Sequence, residues 1–120
     1  MSLLEEISYP EAQPIDGYGP GFFRIAGRVL EGPLLVSPWS VMGWGGFDDA
    51  AAILALKGRI DVLFVGMGSE IAHAPRAFRN ELEQAGIGVE VMNSPAACRT
   101  YNVLLSEGRR IAAALIPVTS

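Results

Sequence analysis

Short apolar runs, each closed by glycine, proline or a polar turn, alternate along most of this chain with stretches whose apolar positions recur at helical spacing. Residues 62–65 read Val-Leu-Phe-Val and run into Gly66-Met67-Gly68; Val89 and Val91 alternate with Glu90 and Met92 before Asn93-Ser94-Pro95. The first run is apolar almost throughout, as in a strand covered on both faces. The second has the period of two that marks a strand with one buried face. Each leads to a helical segment. Residues 76–85 follow Pro75 and stop at Gly86, with Phe78, Leu82 and Ala85 as the buried stripe; residues 95–107 follow a Ser94 cap and stop at Gly108. A shorter helix is predicted over 50–56, with Asp48 as N-cap, Asp49 as a first-turn acid and Gly58 at the left-handed terminating position.

Strands at 33–36, 59–65, 89–92 and 110–116 complete the series strand, helix, strand, helix, strand, helix, strand. Helical crossovers of this length predict mainly parallel pairing in an α/β sheet flanked by helices. Upstream, the turn signals Asp16-Gly17, Gly19-Pro20-Gly21 and Ala26-Gly27 divide residues 14–31 into a β-meander. Residues 1–13 carry no sustained period and are a lead-in, and residues 39–46 read as a loop. The whole is one domain, 1–120, with its α/β core at 32–117.

Composition sharpens this picture in two ways. Half of the 120 residues are hydrophobic and mean hydropathy is +0.31, so much of the chain must be packed or lie at an interface, and a partner subunit or homo-oligomer is expected. A net charge of -4 with nine lysines and arginines leaves no footprint for a nucleic-acid backbone. The lone cysteine allows neither an internal disulfide nor a zinc cluster, which fits a reducing cytoplasm. The opening Met-Ser-Leu-Leu-Glu-Glu puts acids where a targeting peptide needs bases, and no apolar run approaches the roughly 18 residues of a membrane span.

If the predicted strands are parallel neighbours, the turns after residues 65 and 92 open at one sheet edge, where α/β folds gather ligands beside helix N-termini. Gly66 and Gly68 lie there, without the third glycine of a dinucleotide loop or the lysine of a P-loop, so backbone turning is enough to explain them. Cys98 sits in the first turn of its helix beside Arg99, a setting that favours thiolate and makes it the one candidate nucleophile. Its spacing with Tyr101, Asn102 and Leu105 is also that of a buried face. Arg99 is either an anion receptor or the partner of Glu90 or Asp61. Tyr101 and Asn102 either orient a ligand or satisfy buried backbone. His73, the only histidine, lies on the first junction loop, either near Cys98 or in solvent. Trp39 and Trp44 either cap the core or anchor a partner. No acid pair, Gly-x-Ser-x-Gly elbow, metal cluster or cofactor motif is present, so positive evidence for an enzyme is thin.

Taken together, Ile15-Asp16-Gly17-Tyr18-Gly19, Val65-Gly66-Met67-Gly68, the stretch from Gly86 to Met92, Ala97-Cys98-Arg99-Thr100-Tyr101-Asn102 and the stretch from Glu107 to Pro117 resemble a family. It is the small bacterial, archaeal and mitochondrial domain family of unknown function that includes mitochondrial complex I assembly factor 3. The resemblance implies a three-layer α/β domain with the meander packed beside a mixed central sheet. It implies no established enzymatic activity and no cofactor, but a mitochondrial relative that helps assemble respiratory NADH dehydrogenase through protein contacts. Lacking the basic leader of mitochondrial members, the chain looks like a bacterial version, cytoplasmic or peripheral at the inner membrane face. The resulting expectation is a non-enzymatic protein-binding domain, its groove lined by Gly66, Gly68, Cys98, Arg99, Tyr101 and Asn102, with Trp39 and Trp44 as contacts. The alternative is a small-molecule or anion-binding enzyme using Cys98 and Arg99.

Overall fold

A computed structural model describes residues 13–119, so the expected lead-in falls almost wholly outside the described residues. Strands β1 (Ile15–Gly19), β2 (Phe22–Ile25) and β3 (Arg28–Glu31) form the antiparallel meander. A second sheet holds β4 (Leu34–Val36), β5 (Val41–Gly43), β6 (Val62–Met67), β7 (Gly88–Met92) and β8 (Ile111–Ile116), in the spatial order β5-β4-β8-β6-β7. Helices α1 (Ala50–Leu54), α2 (Arg76–Gln84) and α3 (Ser94–Ser106) connect them.

Three of the five strands, β7, β6 and β8, run parallel, as the two helical crossovers between them require. The other two, β4 and β5, are antiparallel, so the sheet is mixed. Strand β5 lies inside the segment expected to be a loop. Three residues, the last of them a glycine, are too short to show a period, which is why the pattern missed it. Strand β6 starts at Val62 rather than 59 because Arg59 and Ile60 complete the turn after Gly58, closing on Leu56 O.

The pleat sends alternate side chains into two cores. Leu35, Leu63, Val65, Ala112 and Ala114 face α1 and α2, meeting Ile53, Phe78 and Leu82. Leu34, Val36, Phe64, Ala113 and Leu115 face α3 and the meander, meeting Phe23, Ile25, Ala97 and Tyr101. The layers are therefore α1 and α2, the mixed sheet, and α3 with the meander, the three-layer arrangement expected. Phe78 and Leu82 form the buried stripe of α2, while Ala85 lies just beyond its end and is only half-buried.

Candidate functional site

The C-terminal ends of β6, β7 and β8 meet where the sequence placed its groove, but the backbone there is stitched shut. Asn93, not Ser94, caps α3: its Oδ1 accepts the Ala96 N–H at 2.8 Å. Ser94 is 1% exposed and turns inward as a latch. Its N–H donates to Gly68 O at 2.8 Å, while its Oγ accepts the Gly68 N–H at 2.9 Å and donates to Ile116 O. The Ala97 N–H donates to Asn93 O, and Pro95 has none to offer. All of the first-turn amides of α3 are thereby engaged, so the helix start offers no donor to an anion.

The two glycines serve this closure. A β-carbon on Gly66 would lie 2.6 Å from Ser94 Oγ and 2.9 Å from Ser94 Cα, and Gly68 holds a φ of +93°. Across the same edge, Thr119 N–H donates to Ser69 Oγ at 3.1 Å, and Val118 is buried. The tail after β8 thus lies over the turn after β6.

The remaining groove candidates do not converge. Tyr101 is wholly buried in the core under α3. Asn102 clamps the start of the meander, its Oδ1 accepting the Ile15 N–H at 2.8 Å and its Nδ2 donating to Ile15 O at 2.9 Å. That paired bond imitates a strand partner and ties β1 to α3, the backbone-satisfying alternative raised by the sequence. Arg99 points outward, beside Thr100, Val103 and Leu104 in an open cleft of about 380 Å³. It forms neither expected ion pair; Asp61 instead meets Arg110 at 3.3 Å.

Cys98 is 5% exposed in the same core as Tyr101. Burial pushes its thiol from 9.0 up to about 11, and the charge of Arg99 pulls only partly the other way. His73 lines a cleft of about 280 Å³ with Ile71, Arg79 and Val91, and neighbouring Ala74 packs on the α1–α2 side of the sheet, opposite Cys98. Neither a cysteine–histidine pair nor a metal-holding cluster forms among the described residues.

A thiol raised to about 11 holds only about one thousandth of its population as thiolate at pH 8, roughly a hundredfold below a thiol at 9.0. Iodoacetamide at pH 8 should therefore label Cys98 only after denaturation; rapid labelling of the native chain near pH 6 would restore the nucleophile. The sign for stability follows. The unfolded thiol ionises around 9 while the folded one resists to about 11, so Cys98 favours folding fully below pH 9 and loses that contribution as pH rises through about 11.

The two tryptophans part company. Trp44 is 4% exposed, edge-on to Phe47 at 5.4 Å and near Phe78, its Nε1–H donating to Asp49 O. It is a core residue, so its burial leaves it unfit for the contact role expected of it. Trp39 is 41% exposed at the turn between β4 and β5, with the Arg59 guanidinium 4.0 Å from its ring centroid. Buried Ser37 fixes that turn, its Oγ accepting the N–H groups of Trp39 and Ser40. Sequence reasoning missed Ser37 and Arg59; the Ser37-Pro38 pair was a legible turn signal, whereas the long-range stack with Arg59 left none.

Residues 15–116 match a family described as protein of unknown function (DUF498/DUF598). The sequence is 55% identical over 113 residues to an uncharacterized protein of Rhodobacter capsulatus, covering 94% of this chain and 91% of that one. It is 36% identical over 124 aligned positions to the mouse NADH dehydrogenase (ubiquinone) 1 alpha subcomplex assembly factor 3, covering 98% of this chain and 66% of that protein. The crystal structure of an outer membrane protein from Bartonella henselae superposes with a TM-score of 0.82 at 35% identity, covering 89% of this chain and 96% of that one. Among the described residues, no helix is long and apolar enough to cross a membrane.

Proposed function

The chain belongs to the DUF498/DUF598 family of proteins of unknown function, and on that premise we propose that it is a non-enzymatic protein-binding domain that assists the assembly of respiratory NADH dehydrogenase. The named mouse assembly factor supports this reading, aligning with nearly all of the present chain. The carrying observation within the structure is Trp39: a half-exposed indole fixed by Ser37 and stacked on Arg59, with Val41 and Met42 exposed beside it. Tryptophan and arginine held in place before binding are the residue types that dominate interface energies. The strand-end edge supplies no comparable feature, its donors being spent internally. Such a domain works in the cytoplasm or against the inner face of the membrane that carries its client.

Affinity capture from mildly solubilised cells tests this. The wild-type chain should enrich NADH dehydrogenase subunits, and folded Trp39→Ala should lose about tenfold or more of that enrichment, the effect of removing a hot-spot side chain. Arg99→Ala, on a separate exposed helix face, should retain it. Capture of no respiratory subunit by the wild type, with normal assembly of the complex in a deletion strain, would sink the reading.

A further inference from the structure

Strand β5 ends the five-stranded sheet, with β4 as its only neighbour among the described residues. The backbone groups that it leaves over can be worked out. Trp44 N–H donates to Pro33 O and Ser37 N–H to Ser40 O, and the register between these bonds pairs Leu34 with Gly43, Leu35 with Met42 and Val36 with Val41. Antiparallel pairs alternate between bonded and non-bonded. Met42 therefore turns its N–H and C=O toward β4, while Val41 and Gly43 turn theirs away from the sheet. Val41 and Met42 are 37% and 46% exposed, one toward each face of the sheet by the alternation of strand side chains.

Positive charge collects at one end of this edge on a chain whose net charge is -4. Arg59 covers the Trp39 ring, and Arg28 lines with Trp39 and Val41 a cleft of about 250 Å³ between the meander and the β4–β5 turn. Neither arginine joins the ion pairs of the described residues, Arg79–Glu83 and Arg110–Asp61.

Resting on the protein-binding reading above, we infer that β5 accepts an extended segment of a partner protein as a sixth strand, apolar at alternate positions and carrying a carboxylate that reaches Arg28 or Arg59. The main-chain bonds to Val41 and Gly43 set the extended shape, and the flanking arginines select an acidic segment. A second copy of this chain fits less well, because β5 itself, Val41-Met42-Gly43, carries no carboxylate to offer the arginines.

Titrating the isotopically labelled full chain with a short peptide alternating valine and threonine, with glutamate at both ends, tests the edge directly. The amides of Val41 and Gly43 should shift and gain protection from exchange. A matched peptide ending in lysine should bind about tenfold more weakly. Gly43→Pro removes an outward N–H without touching the ladder to β4, and should lose binding about tenfold or more in a chain that remains folded. Absence of shifts at Val41 and Gly43 at about 1 mM peptide, equal binding of the two peptides, or a concentration-dependent dimer through the same amides would each overturn the inference. The capture experiment separates the two levels. If the wild type and Gly43→Pro retain respiratory subunits equally, the edge is wrong and the binding function stands; if the wild type retains none, the function itself is wrong.

Discussion

Gly66→Ala is expected to cost about 3 kcal/mol of folding stability, at the upper end of what overpacking does. The new methyl would stand 2.6 Å from Ser94 Oγ, 2.9 Å from Ser94 Cα and 3.0 Å from Leu115 Cδ2. None of these neighbours yields easily. Ser94 Oγ is held between Gly68 N–H and Ile116 O, Ser94 Cα is helix backbone, and Leu115 is wholly buried between β4 and β6. The helix must therefore lift from the sheet, losing contacts between α3 and the core on that face. In a chain of this size the loss should lower Tm by about 12 °C. Urea unfolding checks it, since the midpoint should fall with little change in slope. A loss below about 1 kcal/mol would mean that strand end and helix part readily, leaving room for the groove that the sequence suggested.

That position shows where sequence reading succeeds and where it stops. The order of strands and helices from β6 onward was legible because each apolar run is long enough to show its period and each helix is bounded by proline or glycine. Backbone turning, the expected role of the two glycines, fits Gly68 with its φ of +93°, whereas Gly66 lies within β6 and makes room for a close approach. What approaches Gly66 is Ser94, 28 positions away, and no local pattern records that. The same limit explains the other candidates. Cys98, Tyr101 and Asn102 share a helical face, and spacing alone cannot distinguish a face turned to a ligand from one turned to Ile15 and the core. Arg99, one position from Cys98, necessarily points elsewhere. Trp39 and Trp44 look alike in a glycine-rich segment, but β5 lies between them and leads one indole to the surface and the other beneath α1 and α2.

Ser94→Ala should cost about 3 kcal/mol, and the size of the loss separates its two readings. A serine acting only as a helix cap loses about 1 kcal/mol on this change, and aspartate in its place should serve as well. A serine acting as a latch leaves two polar groups without their partner, the Gly68 N–H and the Ile116 C=O, each costing about 1–3 kcal/mol when hidden from water. Aspartate should then be worse than alanine, because its carboxylate would be buried at a site that is 1% exposed and asked to accept from a carbonyl, which has no proton to give. Exchange of the Gly68 amide should quicken in Ser94→Ala well beyond the global loss of stability, since that amide loses its acceptor. The double variant Gly66→Ala, Ser94→Ala should lose about 1 kcal/mol less than the sum of the single losses, because removing Oγ removes the nearest clash while leaving Cα in place. Additive losses would mean that the glycine and the serine act on different parts of the fold. A coupled pair makes the strand-end edge the point where α3 is fastened to the sheet, which leaves Trp39 and the edge of β5 as the surface proposed to meet other proteins.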